Sequence, residues 1–154
     1  MKRFIVICFA LTAVCLFTSC KDKTTAPAAT GDPKKPAPAT GHHSGKVIEL
    51  GSATIGPYKV RAARDDGDIK NAADAPIDVW VDGTPKVETV RFWIGTQDAK
   101  GSIKARAAIE FPDQPNHWHT HAEIPKPLPA DSRLWVEIEG EKGATSVGSF
   151  ELKP

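Results

Sequence analysis

Apolar and polar side chains alternate at every second position through most of the chain that follows Val47. Residues 58–62 show the pattern, because their apolar members alternate with Lys59 and Arg61. Successive side chains of a β-strand point to opposite faces, so an alternating segment buries one face and exposes the other. No segment after Val47 keeps the period of an amphipathic helix. The alternation therefore predicts an all-β domain.

Turn signals divide the alternating segments into short strands. Residues 82–85, 98–101, 113–116 and 141–143 carry the Gly, Asp, Asn and Pro residues that turns favour. The apolar sets of the predicted strands are Ile48 and Leu50; Tyr58, Val60 and Ala62; Ile77, Val79 and Val81; Val90, Phe92 and Ile94; Ile103, Ala105, Ala107, Ile109 and Phe111; Leu134, Val136 and Ile138; and Phe150 and Leu152. Roughly seven or eight short antiparallel strands in residues 47–154 predict one immunoglobulin-like β-sandwich.

The N-terminus has the parts of an export signal. Lys2 and Arg3 give a positive start, residues 4–17 form an almost entirely apolar run, and small residues precede Cys20. The run is shorter than the roughly 20 residues that a membrane-spanning helix requires. We therefore predict a cleavable signal peptide over residues 1–19.

The junction at residues 16–20 resembles the lipobox of bacterial lipoproteins, in which small residues precede a cysteine that becomes the new N-terminus. Its sequence is Leu-Phe-Thr-Ser-Cys, with phenylalanine where the lipobox usually has Leu, Val or Ile. The resemblance implies a lipid on the sulfur of Cys20, and several acyl chains would anchor the chain firmly to a membrane, facing the periplasm or the exterior. Lys21 after the cysteine favours the outer membrane in a cell that has one.

Residues 20–46 are predicted to be a disordered tether between the lipidated cysteine and the domain. They consist mainly of Ala, Pro, Thr, Lys and Gly. Such a composition buries too little apolar surface to offset the entropy of ordering, and its prolines keep it extended. His42 and His43 lie near its end, where we interpret them as solvated.

Cysteine usage and charge exclude several classes of function. Cys8, Cys15 and Cys20 are the only cysteines, so the domain has no disulfide, no thiolate metal site and no cysteine nucleophile. Removing the two charges of Lys2 and Arg3 takes the formal net charge from +1 to −1, which leaves no basic surplus for nucleic acid. No nucleophile motif or phosphate-binding loop is recognisable, so we expect a protein that is not an enzyme.

The segment at residues 117–124 has two different faces if it is a strand. The polar face holds His117, His119, His121 and Glu123, and the apolar face holds Trp118, Ala122 and Ile124. We predict that the apolar face enters the core and that the histidines point outward, because burying three imidazoles would require their desolvation.

We also predict a hairpin in which residues 113–116 join this strand to the one before it. The register that keeps the two apolar faces together gives the pairs Phe111–Trp118, Ala107–Ala122, Glu110–His119 and Arg106–Glu123.

Alternate histidines on a strand lie roughly 6.6–6.8 Å apart along the chain, which allows two imidazoles to converge on one metal ion. The candidate ligands of copper or zinc are His117, His119, His121 and Glu110. Two other interpretations stay open. One is pH-sensitive binding, because histidine titrates near pH 6.5. The other is a set of exposed polar residues with no specific role.

Trp80, Trp93 and Trp135 fall on the polar positions of their strands. As an exposed row they would stack on sugar rings or bind a protein partner in the envelope. Covered by neighbouring cations such as Arg91, they would be structural. Both interpretations stay open at this level.

A histidine-bearing strand, a Pro-rich turn at residues 123–129 and a Trp-containing strand at residues 134–137 follow one another. This order resembles small exported immunoglobulin-like domains of the YtkA type and, more remotely, CopC-like copper proteins. The chain departs from CopC-like proteins because it has no methionine after Met1. We expect a membrane-anchored, non-enzymatic binding or structural module, with a metal-binding accessory protein and a glycan- or protein-binding module as the alternatives.

Overall fold

The computed structural model describes residues 46–154, which form nine β-strands and one short 3-10 turn. The elements are β1 (Val47–Ile55), β2 (Tyr58–Asp65), β3 (Asp74–Gly83), β4 (Val87–Gly95), β5 (Ala105–Arg106), β6 (Ala108–Ile109), β7 (His117–Glu123), β8 (Arg133–Gly140), the 3-10 turn (Glu141–Gly143) and β9 (Thr145–Glu151). The all-β prediction is confirmed for this part of the chain.

The strands form two antiparallel sheets that pack face to face, so the predicted β-sandwich is also confirmed. One sheet has five strands in the order β1-β2-β3-β7-β6, and the other has four in the order β5-β4-β8-β9. The immunoglobulin-like type stays a prediction. The orders β2-β3-β7-β6 and β5-β4-β8-β9 are compatible with the A-B-E-D and C′-C-F-G sheets of that fold, with β1 as an additional edge strand.

The core lies between the sheets and is built from the inward faces that the alternation predicts. Its members from the longer strands include Val60 and Ala62, Ile77, Val79 and Val81, Val90, Phe92 and Ile94, and Leu134, Val136 and Ile138. β7 contributes Trp118 and Ala122, as predicted. Because alternate side chains point the opposite way, the histidines of β7 lie on the outer face of the five-stranded sheet.

The single strand predicted over residues 103–111 is wrong. The chain forms two strands there, each of two residues. β5 pairs with β4 in one sheet, and β6 pairs with β7 in the other. The backbone N–H of Ala107 donates to Val90, so the chain passes from one sheet to the other at this residue. No single face can then stay turned to the core, and Ile103 and Ile109 are exposed.

The predicted hairpin register is wrong as well. The structure pairs Ile109 with Trp118 and Ala108 with His119, two residues away from the predicted partners Phe111 and Glu110. The predicted Arg106–Glu123 and Ala107–Ala122 pairs also do not form, because Arg106 lies opposite Arg91 and Ala107 bonds to β4. A shift of two residues keeps every side chain on its face. The histidines therefore still point away from the core.

Several predictions lie outside the described residues. They are the signal peptide over residues 1–19, the lipidation of Cys20, residues 20–45 of the tether, and the solvation of His42 and His43. Among residues 46–154, no helix is long and apolar enough to cross a membrane.

Candidate functional site

β7 places its three histidines beside polar side chains of β3 on the outer face of the five-stranded sheet. The register pairs His119 with Asp78 and His121 with Pro76, and Asp74 lies one outward position further along β3. The alternation of both strands turns these side chains outward, because the residues between them, such as Ile77 of β3 and Trp118 of β7, lie in the core. We call His117, His119, His121, Asp74 and Asp78 the His–Asp cluster.

Asp78 holds two of the histidines at once. Its Oδ1 atom accepts hydrogen bonds from Nε2 of His117 at 2.7 Å and from Nδ1 of His119 at 3.0 Å. Burial opposes ionisation of this carboxyl, but the hydrogen bonds and charges of His119 and His117 outweigh it and lower the pKa of Asp78 below its usual value. Asp78 is therefore a buried carboxylate that orients two imidazoles.

His117 lies on the outer face but is buried, which corrects the expectation of an exposed histidine. Its ring stacks on Trp80 with centroids 4.5 Å apart and on Phe111 with centroids 5.5 Å apart. Phe111 thus covers the outer face and is not the core residue that the alternation predicted. Because Nε2 of His117 is bonded to Asp78 and the ring is covered, His117 is not accessible to a metal ion.

The stack on His117 continues across the sheet. The Arg61 guanidinium lies 3.4 Å from the ring centroid of Trp80 and pairs with Glu49 at 3.0 Å. Arg61 and Trp80 are direct partners in the β2–β3 register, as Trp80 and His117 are in the β3–β7 register. These three side chains form a packed row that fixes one side of the cluster.

His119 and His121 are the accessible histidines of the cluster, with side-chain exposures of 14% and 48%. Their rings meet edge to face with centroids 5.8 Å apart. Nδ1 of His121 donates to Oδ1 of Asp74 at 3.0 Å, as Nδ1 of His119 does to Asp78. In both imidazoles, Nε2 is therefore the nitrogen that would accept a proton or ligate a metal ion.

Carboxylates surround His119. The hydrogen bond to Asp78 is the largest cause of a raised His119 pKa, desolvation opposes it, and the charges of Asp78, Glu110 and Asp65 add to the rise. The surroundings of this imidazole thus favour positive charge, which either a proton or a metal ion would supply.

An open groove lies beside the exposed end of the cluster. Its volume is about 690 Å³, and its walls include His121, Asp74, Glu123 and Lys126. Small-molecule sites commonly occupy about 300–1,000 Å³. The groove gives a ligand access to His121 from the side.

The structure brings together only part of the predicted metal-ligand set. His119 and His121 are adjacent, and Glu110 acts on His119 through its charge, but His117 is covered. Among residues 46–154, no group of three or more His, Cys, Asp or Glu side chains has the geometry to hold a metal ion. The predicted set is thus reduced to a pair of histidines with carboxylates around them.

The tryptophans lie on outer faces, as their positions in the strands predict, but they are covered. Trp93 is buried under the ammonium group of Lys104, 4.4 Å from its ring, and stacks on Trp135 at 6.1 Å. Their indole N–H groups donate to the backbone oxygens of Thr96 and Gly95. Together with the buried Trp80, they present no row of open ring faces to a sugar.

Asp74 and Asp78 are side chains of the candidate site that sequence reasoning missed. Their signal is present, since both occupy outward positions of β3. The aspartates are recognisable as partners of the histidines only when β3 lies next to β7, and these strands are far apart in the chain.

Comparisons of the chain with protein-family models, with characterised proteins and with solved structures found no match.

Proposed function

We propose that this chain is a lipid-anchored, non-enzymatic binding module of the cell envelope that binds its ligand at the His–Asp cluster. The export signal, the cysteine at its end and the absence of any later cysteine support the anchored location. The compact sandwich with a polar cluster on one outer face supports the role of a binding module.

The observation that carries the binding site is the buried carboxylate of Asp78 between two imidazoles. A buried ion pair generally stabilises a fold no better than apolar residues of the same volume. The core of the sandwich is already complete beneath it. A contribution to stability therefore does not explain why the charged carboxylate of Asp78 is held in this position, whereas a role in binding a ligand does.

The surroundings of the cluster support binding rather than catalysis. It lies on the outer face of a sheet beside an open groove, so a substrate there would not be shielded from water. The chain has no cysteine after Cys20 to act as a nucleophile.

Metabolic labelling with palmitate, followed by membrane fractionation, tests the anchor. We expect the wild-type chain to be labelled and to sediment with membranes, and the Cys20→Ala variant to be unlabelled. Cys15→Ala is the matched control, because it removes a leader cysteine that is not at the predicted cleavage site. Equal labelling of the Cys20→Ala variant, or a soluble and unlabelled wild-type chain, would contradict the anchor.

A metal-binding accessory protein is the more specific candidate within this proposal. It is favoured by the two accessible imidazoles, each with its Nδ1 atom held by an aspartate. The glycan-binding candidate has no comparable support, because Trp80 and Trp93 are buried.

A further inference from the structure

We infer that His119 and His121 form a binding site for one divalent transition-metal ion, Cu²⁺ or Zn²⁺, which they ligate through their Nε2 atoms. This inference rests on the proposed function, since it names the class of ligand that the His–Asp cluster binds. His117, which the sequence suggests as a third ligand, is excluded from the site because its ring is covered.

The two imidazoles are oriented as metal ligands usually are. A metal-ligating histidine almost always donates its other ring N–H to a carboxylate, a carbonyl or water, which fixes its tautomer and raises its basicity. His119 donates to Asp78 and His121 donates to Asp74, both through Nδ1 and both at 3.0 Å. Two adjacent histidines thus have the same arrangement, and each has its own aspartate.

The two rings are also separated by a distance that suits one shared ion. With a metal–nitrogen distance of about 2.0–2.1 Å, the centroid of a ligating imidazole lies about 3 Å from the metal ion. Two ligands of one ion therefore have centroids roughly 5–6 Å apart. The centroids of His119 and His121 are 5.8 Å apart. The observed separation lies in this range, and the edge-to-face contact means that one ring must turn to point its Nε2 atom at a shared ion.

The chemistry of the available donors favours Cu²⁺ or Zn²⁺. The chain has no methionine after Met1 and no cysteine after Cys20, so no thioether or thiolate can favour Cu⁺. Imidazole suits Zn²⁺ and Cu²⁺, and the Irving–Williams order makes Cu²⁺ the tighter of the two. The charges of Asp65, Asp78 and Glu110, which act on His119, also favour a dication.

His119 and His121 supply two ligands, so other groups must fill the remaining coordination positions of the metal ion. Glu110 follows β6 near His119, and Glu123 lies on the same face of β7 in the wall of the open groove. Neither carboxylate completes a group of three ligands in the described residues, so water or a group of a partner would occupy the remaining positions. A metal ion held by so few protein ligands exchanges more readily than one in a closed structural site with four.

Calorimetric titration of the purified full-length chain with ZnCl₂ and with CuCl₂ tests the site. The chain carries no affinity tag and has the substitutions His42→Ala, His43→Ala, Cys8→Ala, Cys15→Ala and Cys20→Ala, so that neither the tether histidines nor the three thiols bind metal. We expect one metal ion per chain and tighter binding of Cu²⁺. His121→Gln and His119→Gln should each weaken binding at least about tenfold, and Asp74→Asn by about 10- to 100-fold.

The matched control is Glu151→Gln, which removes an exposed carboxylate from the four-stranded sheet and should leave the affinity unchanged. Circular dichroism checks that each variant folds. If His119→Gln does not fold, the variants His121→Gln and Asp74→Asn still test the site, because the side chains that they replace are half-exposed. The absence of binding, or equal affinity in the wild type, His121→Gln and Asp74→Asn, would overturn the inference. Such a failure leaves the palmitate labelling of Cys20 untouched, so it is distinguishable from failure of the anchor.

Discussion

Two aspartates of β3 make the same kind of contact with two histidines of β7, yet their surroundings differ greatly. The side chain of Asp78 is 3% exposed and that of Asp74 is 50% exposed. A solvent-exposed polar contact of this kind is hydrated and contributes little to stability. A buried carboxylate that accepts two hydrogen bonds leaves two unsatisfied donors when it is removed.

Replacing each aspartate with alanine should therefore give unequal losses of stability. We expect Asp78→Ala to lower the free energy of unfolding by about 1–3 kcal/mol, and Asp74→Ala by less than about 1 kcal/mol. Urea denaturation in the absence of metal measures both. Equal losses, or a larger loss for Asp74→Ala, would show that Asp78 does not hold the two imidazoles together.

At this scale the sequence predicts the face on which a residue lies but not what the residue contacts. The alternation in β7 correctly assigns Trp118 to the core and His119 to the outer face. It could not show that Phe111 would cover His117, because that contact depends on where the chain goes after β6.

At the scale of elements, the strands with long alternating segments were predictable, whereas residues 103–111 were not. Their alternation suggests one strand, but the chain crosses between the sheets at Ala107. The alternation of a segment does not record which partner strand lies beside it. For the same reason, the contact of β3 with β7, on which the cluster depends, could not be derived from either strand alone.

The β4–β8 pair of the other sheet carries a cross-strand charge cluster of its own. Glu137 on β8 accepts hydrogen bonds from Lys104 at 2.6 Å and from Arg91 on β4 at 3.1 Å. The hydrogen bond from Lys104 is the largest cause of a lowered Glu137 pKa, and Arg91 lowers it further. A lowered pKa in the folded state means that folding favours the charged carboxylate.

The stabilisation from Glu137 should accordingly be complete above the ordinary glutamate pKa of about 4.3. It should be lost as the pH falls through the lower pKa of the folded state. We expect the free energy of unfolding to fall less steeply for Glu137→Gln than for the wild type as the pH is taken below 5. Urea denaturation across this pH range measures the slopes, with Glu151→Gln as the exposed control. Identical slopes for Glu137→Gln and the wild type would contradict a charged Glu137 that is stabilised by folding.

At the scale of the whole molecule, the sequence predicts the class of fold, and the structure confirms a β-sandwich for residues 46–154. The anchor at Cys20 and the tether that follows it remain predictions from sequence. The position of the candidate site on β7 was predictable, because the sequence shows alternating histidines there that include His119 and His121. Its composition was not, since Asp74 and Asp78 come from β3 and His117 is buried by the stack on Trp80.

The most direct test is to observe the imidazole nitrogens themselves while metal is added. Long-range ¹H–¹⁵N spectra of the full-length chain, with ¹⁵N-labelled histidine and with its three cysteines replaced by alanine, report the tautomer and the ligation of each ring as ZnCl₂ is added. We expect the Nε2 resonances of His119 and His121 to change together up to one equivalent of Zn²⁺, while Nδ1 stays protonated and His117 is unaffected. Ligation by His117, or changes confined to His42 and His43, would contradict a metal site at the two outward histidines of β7.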